Sequence, residues 1–342
     1  MSSAQTETGP ASEGSARTGG LRGGRIRPPK PQWGNYAVVC VMLILIGIFS
    51  LTNPSTFPTL DNFQVIAGSN SITLILALAS LPPLIGGDFD LSVGYTLEIG
   101  SVVMAWLTYR HGVNLWLAIL LTLAVGALIG LVNGLLVTKV GVSSFIATIG
   151  VGSVLAGISL QITNGAVIIN GLPQGLLNFA QTNSAGVPNV TWVAAGVVVV
   201  YWLVFEHTPY GRRLLAIGLS RRSTELLGMR VAAMRASAFV IAGVMSAFAG
   251  ILDLGRVGSA SSGVGPDFLL PAVAAAFLGA TTITIGRFNV LGTVIAVILV
   301  AVGVSGLELN GVANWVQPIY DGGLLVIAVG SSAILTRRGV RA

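Results

Sequence analysis

Charged side chains are scarce in this 342-residue chain, where they make up 9% of the residues against 53% hydrophobic ones. A soluble domain carries roughly 25% charged residues, because water must solvate its surface. The mean hydropathy of +0.85 points the same way. The composition therefore excludes an ordinary soluble protein. It also excludes a nucleic-acid partner despite the isoelectric point near 10, since Lys and Arg mark the cytoplasmic side of membrane proteins.

Cysteine and histidine are nearly absent. The single cysteine, Cys40, lies in an apolar run, and the two histidines, His111 and His207, are far apart in the chain. This excludes a disulfide framework and a metal cluster. The chain also lacks a Walker-type Gly-x4-Gly-Lys-Ser/Thr loop and an HExxH motif, which are signatures of ATP binding and of zinc proteases. We therefore expect no catalytic residue, no metal and no cofactor here, and no enzyme.

Long apolar runs dominate the chain, and about 20 mostly apolar residues cross a bilayer as a helix. The sequence predicts an all-α polytopic membrane protein with about ten transmembrane helices in a domain over 35–336. For residues 1–34 we predict a disordered basic tail, because they are too polar to form a core. For residues 337–342 we predict a short C-terminal tail. The predicted spans are 36–51, 63–85, 91–109, 114–138, 143–163, 190–206, 234–254, 269–281, 288–304 and 318–336.

Basic residues are distributed unevenly between the predicted loops. With a cytoplasmic N-terminus, 16 of the 18 Lys and Arg residues fall on the cytoplasmic side, and only Arg110 and Arg256 fall outside. The cytoplasmic ones lie in 1–34 (five), 207–235 (six) and 337–342 (three), and at Lys139 and Arg287. Cytoplasmic loops of membrane proteins carry such an excess. We therefore predict a multi-pass protein of the cell membrane with both termini in the cytoplasm.

Two similar segments interrupt the apolar runs with glycine and proline. They read Gly87-Asp88-Phe89-Asp90-Leu91 and Gly265-Pro266-Asp267-Phe268-Leu269, and each precedes a predicted span, on opposite sides of the membrane. Transporters built from inverted repeats carry broken segments of this kind at equivalent positions. We therefore predict an inverted repeat of spans 2–5 and 7–10. The plainer alternative for the first segment is a tight cytoplasmic turn with Asp90 capping the next helix.

Polar residues within or beside the spans are candidates for a transport pathway. Glu98 lies two turns into the third span, where a carboxylate usually faces the bundle interior or water. It is a pathway residue, a hydrogen-bonded structural group or a proton-relay acid, and its isolation in the sequence argues against the relay. Asp253 and Arg256 have the spacing of an ion pair across one helical turn. The predicted pathway residues, with one aromatic among them, are Asp90, Ser92, Glu98, Asn133, Phe145 and Thr148.

Residues 207–233 interleave arginines with leucines between two spans. One explanation is a basic loop that lies against anionic lipid headgroups. Another is a short amphipathic helix that docks a cytoplasmic partner, because the apolar residues would serve no purpose in a solvated loop. Composition leaves both explanations open.

Several short motifs together resemble a known family. The run Gly87-Asp88-Phe89-Asp90-Leu91-Ser92-Val93-Gly94 is similar to the Gly-Gly-Ile-Asp-Leu-Ser-Val-Gly signature of ribose-type permeases of ATP-binding cassette (ABC) importers. The resemblance covers about 60–335. Its further motifs are Gly130-Leu131-Val132-Asn133-Gly134, Ser144-Phe145-Ile146-Ala147-Thr148, Thr208-Pro209-Tyr210-Gly211-Arg212, Ala216-Ile217-Gly218, Gly228 and Ala275-Ala276-Phe277-Leu278-Gly279.

This resemblance implies the inner-membrane translocator of a monosaccharide importer, with ATP and Mg²⁺ held by a separate subunit. The implied partners are a second permease subunit, two cytoplasmic ATPase subunits and an extracytoplasmic solute-binding protein, all assembled at the lipid bilayer. It also implies that 207–233 is the coupling segment, which contacts the ATPase. The implied coupling residues are Arg212, Arg213, Arg221, Arg222, Leu226 and Gly228.

The chain departs from the family pattern at three places. Ser220-Arg221-Arg222-Ser223 stands where the family often has Asn-Glu-Ala-Ala, which implies an altered docking groove on the ATPase. The loop 281–287 is not rich in glycine, which leaves its contacts open. Asp88 replaces a frequent glycine, and the sequence predicts no consequence of this change.

The leading hypothesis is thus the membrane subunit of an ATP-driven importer for a monosaccharide or similar polyol, because a sparse, neutral lining suits a neutral, hydroxyl-rich solute. An ion-coupled secondary transporter with Glu98 as its coupling acid is the alternative from another class. A passive channel and an ABC permease for branched-chain amino acids are further alternatives.

Overall fold

A computed structural model of the chain describes residues 37–284, 286–313 and 315–339. The tail predicted over 1–34 lies outside these residues. The helices are α1 (Ala37–Thr52), α2 (Leu60–Ile85), α3 (Val93–His111), α4 (Leu115–Leu135), α5 (Ser144–Thr163), α6 (Gln174–Gln181), α7 (Asn189–Trp202), α8 (Pro209–Leu219), α9 (Arg221–Leu226), α10 (Val231–Val257), α11 (Gly265–Gly279), α12 (Val290–Leu309) and α13 (Val316–Gly339). Since α13 reaches Gly339, the first residues of the C-terminal tail predicted over 337–342 are helical, and 340–342 lie outside the described residues.

Each of the ten predicted spans corresponds in order to one helix. Short π-helical turns, Leu136–Val140 and Leu203–His207, extend α4 and α7. The predicted loop 164–189 contains α6 and an antiparallel hairpin of β1 (Asn183–Ser184) and β2 (Val187–Pro188). Six helices in the described part of the chain are long and apolar enough to cross a membrane. The all-α membrane fold is confirmed, whereas the number of ten crossings stays a prediction.

Short polar side chains define where several helices begin. Thr59, Asn114 and Asn289 stand before α2, α4 and α12, and each accepts a hydrogen bond from a backbone N–H of the first turn. These bonds satisfy amide groups that the helix itself leaves unpaired. Polar residues at the edges of apolar runs thereby fix the ends of the buried helices.

The chain breaks after α2 where glycine and proline predict a break. Pro82 and Pro83 lie in the last turn of α2, and Gly87 follows with φ +77°, a left-handed conformation that favours glycine. The chain is irregular over 88–92 until α3 begins. Ser92, rather than Asp90, is the residue directly before α3.

The contacts between helices stay the same when each helix of spans 2–5 is replaced by its counterpart in spans 7–10. Helix α10 packs on α3 and α4, and its counterpart α2 packs on α11 and α12. Likewise α3 packs on α5, and α11 packs on α13. The helices α2 and α10 also contact each other, as do α3 and α11. This is the pattern that the predicted inverted repeat requires, with α2 and α10 at its centre.

Glycines bring core helices to backbone contact in both halves of the repeat. A Cβ atom on Gly126 or Gly130 of α4 would collide with the carbonyl oxygen of Gly243 or Phe239 of α10. A Cβ atom on Gly292 of α12 would collide with the carbonyl oxygen of Gly279 of α11. Small residues of this kind let membrane helices approach to backbone contact.

Candidate functional site

Helices α3 and α11 begin next to each other, and one carboxylate joins them. A Cβ atom on Gly94 would lie 2.9 Å from the Cβ atom of Leu269, so this approach needs a glycine. The buried Glu98 accepts a hydrogen bond of 2.9 Å from the backbone N–H of Gly265. A helix N-terminus favours a negative charge through its free N–H groups and its dipole. Glu98 thus joins α3, which follows the first broken segment, to the N-terminus of α11, where the second broken segment begins.

Three predicted pathway residues, Asp90, Ser92 and Asn133, form a buried hydrogen-bonded cluster, and a fourth, Thr148, bonds the backbone beside it. Oδ1 of Asp90 accepts hydrogen bonds from the backbone N–H of Ser92 at 2.9 Å and from its hydroxyl at 2.6 Å. The amide of Asn133 donates to Oγ of Ser92 at 2.8 Å. Oγ1 of Thr148 accepts a hydrogen bond from the backbone N–H of Leu91 at 3.1 Å. These bonds fix the segment 88–92 against α4 and α5, and contact of the four residues with a solute stays a prediction.

Phe145 lies apart from this cluster. Its side chain is 51% exposed on the surface of α5. The neighbouring Ser144 faces inward, where its hydroxyl accepts a hydrogen bond from the backbone N–H of Phe89 at 3.1 Å. Phe145 is therefore placed to contact lipid or another subunit.

The sequence analysis missed the role of Asp88. This buried carboxylate forms an ion pair with Arg235 of α10 through Nε at 2.7 Å, and a second with Nη2 of Arg221 of α9 at 2.9 Å. Arg235 also donates through Nη2 at 2.7 Å, and Arg221 donates to the carbonyl oxygen of Gly87 at 2.8 Å. The expectation that Asp88 has no consequence is wrong, because it ties the coupling segment to the turn after α2. The departure from a frequent glycine was the signal that pointed to it.

Helix α8 of the coupling segment lies against the end of α2. Leu214 and Ile217 are fully buried, and a Cβ atom on Gly218 would collide with the carbonyl oxygen of Ile85. The hydroxyls of Tyr210 and Ser237 lie 2.9 Å apart and share a hydrogen bond that reaches α10. Burial raises the pKa of Tyr210, and the bond to Ser237 offsets part of that rise. The neutral phenol therefore persists at physiological pH and keeps α8 attached.

The far side of the coupling segment exposes apolar side chains. Leu219, Leu226 and Leu227, which we call the leucine tip, are 70%, 82% and 79% exposed. Gly228 ends α9 with φ +77°, and the backbone N–H groups of Gly228 and Met229 donate to the carbonyls of Glu225 and Thr224. This is the hydrogen-bond pattern of a Schellman cap, in which Gly228 takes the left-handed position.

The four predicted coupling arginines have different surroundings. Arg213 and Arg222 are exposed, whereas Arg221 is held by Asp88. Arg212 is exposed beside a cleft of about 380 Å³, which Glu206 and Arg287 also line. The structure therefore exposes arginines and the leucine tip within the same short segment.

The chain is similar to known transport proteins over most of its length. The family model described as branched-chain amino acid transport system / permease component matches residues 62–329. The chain is 31% identical over 291 residues to the ribose import permease protein of Escherichia coli (strain K12), covering 84% of this chain and 90% of that protein. It is 32% identical over 310 residues to the galactose/methyl galactoside import permease protein of Haemophilus influenzae, covering 86% and 92%. It is 30% identical over 310 residues to the autoinducer 2 import system permease protein of Yersinia enterocolitica, covering 88% and 92%. No solved structure matches the chain.

Proposed function

The chain belongs to the permease family described as branched-chain amino acid transport system / permease component, and from that membership we propose that it forms the translocation pathway of an ABC importer for a monosaccharide or similar polyol. The names of its relatives favour this solute class, since they include ribose and galactose import permeases. The printed family description favours branched-chain amino acids as the second candidate. Uptake assays with D-ribose, D-galactose and L-leucine separate the two.

The leucine tip is the observation that carries the proposal for coupling to an ATPase. Three leucines more than two-thirds exposed on one short segment are unfavourable in water and fit a groove in another protein. Exposed arginines beside them suit an acidic rim, which provides orientation and specificity. The segment is also anchored to the membrane helices through Asp88 and Tyr210. Such a surface can receive force from a partner and pass it to the helices.

In the proposed assembly, this chain pairs with a second permease subunit, two cytoplasmic ATPase subunits and an extracytoplasmic solute-binding protein. ATP and Mg²⁺ bind to the ATPase subunits. Both termini and the coupling segment face the cytoplasm, which agrees with the 16 basic residues on that side. The loop 164–189, with α6 and the β1–β2 hairpin, then faces the binding protein.

The competing hypothesis of an ion-coupled transporter needs Glu98 to exchange ions or protons. In the structure, Glu98 accepts a hydrogen bond from the backbone of α11 and joins two helices. This bond satisfies one oxygen, Oε2, while Oε1 has no partner among the described residues. The import permeases among the relatives therefore carry the preference for the ATP-driven mechanism.

Substitution in the leucine tip tests the proposed coupling. Leu226→Asp places a charge in the apolar contact and is expected to weaken ATPase binding by more than tenfold, because central apolar anchors contribute about 2 kcal/mol or more. The measurement is co-purification of the cognate ATPase subunit, together with ATP-dependent uptake of D-ribose, D-galactose and L-leucine. Val167→Asp, at a 56% exposed apolar position in the loop 164–189, is the matched control and retains the ATPase.

Normal ATPase recovery with Leu226→Asp would contradict the docking role. A parent protein that takes up solute without ATP, and loses uptake when ion gradients collapse, would contradict the importer itself.

A further inference from the structure

A polar cleft of about 300 Å³ lies between α2, α11, α12 and α13. Its rim includes Glu308 in the last turn of α12, and its lining extends to Thr73 near the middle of α2. The cleft therefore reaches from one end of the helices toward their centre.

The lining of the polar cleft offers hydrogen-bonding groups that the fold does not use. Asp321 of α13 is 5% exposed, and Oδ1 of its carboxylate has no hydrogen-bond partner among the described residues. Ser69 and Thr73 of α2 and Gln317 of α13 add hydroxyl and amide groups to the lining. A buried carboxylate oxygen without a partner is costly, so the site is incomplete without a donor. A hydroxyl group of a molecule that enters the cleft can supply this donor.

We propose that the polar cleft receives a neutral, polyhydroxylated solute of monosaccharide size, with Asp321 accepting hydrogen bonds from its hydroxyl groups. This inference rests on the proposed import function. A volume of about 300 Å³ lies at the lower end of the ~300–1,000 Å³ typical of ligand pockets, which suits a single sugar ring. The cleft is thus a solute site on the permease itself. The solute occupies it after release from the binding protein and before passage through the membrane.

The charges and polar groups that line the cleft limit which class of solute can bind there. Asp267, Glu308 and Asp321 line the cleft, and Arg256 is the one cation among the described residues that line it. Arg256 is held by Asp253 at 3.1 Å, the ion pair predicted from their spacing. The excess of carboxylates repels anions such as phosphorylated sugars. No group of three or more His, Cys, Asp or Glu side chains in the described part of the chain is arranged to hold a metal ion. Hydroxyl groups of a neutral solute supply the donors that Asp321 lacks, without the need for a charge.

The test uses the complete importer in proteoliposomes, with the binding protein and ATPase present and D-ribose or D-galactose as the probe. Asp321→Asn keeps the size of the side chain but weakens it as an acceptor, and the ratio of solute imported to ATP hydrolysed is expected to fall about tenfold. Thr73→Val, which removes one hydroxyl at nearly constant shape, is expected to lower the same ratio by a smaller factor. Asp61→Asn, an exposed acid in the first turn of α2 outside the cleft, is the matched control.

Each result decides for or against the cleft. An unchanged ratio in both cleft variants refutes the site, as does an equal fall of uptake and ATP hydrolysis, which indicates a structural role only. Stronger competition by a cationic solute than by the neutral sugar also refutes it, since the carboxylates would then select charge. Absence of ATP-dependent sugar uptake in the parent importer instead refutes the proposed function, so the two failures are distinguishable.

Discussion

Replacement of Asp88 tests how much its two ion pairs, with Arg235 of α10 and Arg221 of the coupling segment, stabilise the fold. Asp88→Asn keeps the side-chain size and removes the charge that two arginines share. Asp88 is 4% exposed and Arg235 is 13% exposed, whereas Arg221 is 44% exposed. Removal of one partner from a buried ion pair costs about 3–5 kcal/mol, because the other charge is left unpaired. An exposed pair contributes only about 0–1 kcal/mol.

These energies predict which variants lower the free energy of unfolding most. Asp88→Asn and Arg235→Gln are each expected to lower the free energy of unfolding by about 3 kcal/mol or more. Arg221→Gln is expected to lower it by about 1 kcal/mol or less. Thermal unfolding of the purified protein in detergent measures the order. Asp61→Asn is the control, because this exposed carboxylate has no ion pair in the described part of the chain.

A double variant completes the test. Asp88→Asn combined with Arg235→Gln leaves no unpaired charge in the buried pair, so its loss is expected to be smaller than the sum of the two single losses. Equal destabilisation by Arg221→Gln and Arg235→Gln would refute the argument from burial. So would an Asp88→Asn variant as stable as Asp61→Asn.

Two further predictions concern Glu98 and the orientation in the membrane. Glu98→Gln is expected to retain most ATP-driven uptake, since a glutamine oxygen still accepts the hydrogen bond from Gly265; complete loss, with proton-driven uptake in the parent, would support the ion-coupled alternative. On a Cys40→Ala background, a membrane-impermeant thiol reagent added outside is expected to label Ser184→Cys and to spare Ser220→Cys. The reverse labelling pattern would contradict the orientation derived from the basic residues.

Hydropathy predicted the positions of the long helices because each of them has to bury an apolar surface along its whole length. It did not predict α6 or the β1–β2 hairpin in the loop 164–189, which are too short to produce a hydropathy signal. The short amphipathic helix considered for the coupling segment is divided in the structure into α8 and α9. The break is local: Ser220 follows α8, and its hydroxyl accepts a hydrogen bond from the backbone N–H of Ser223 to begin α9.

The part of the candidate site that lies close together in the sequence was predictable. Asp90 and Ser92 are close in the sequence, and the broken segment marked them directly. Asp88 was missed because its partners, Arg221 and Arg235, lie 133 and 147 residues further along the chain. An ion pair between such distant residues leaves no periodicity or spacing in a single sequence. Only the packing of α9 and α10 beside the end of α2 brings these charges together.

Helix α2 connects the two surfaces on which the proposed function depends. At one end, its last residue Ile85 touches Gly218 of α8, and the turn that follows carries Asp88 with its link to α9. Farther along α2, Ser69 and Thr73 line the polar cleft. A shift of the coupling segment therefore acts on the helix that borders the cleft.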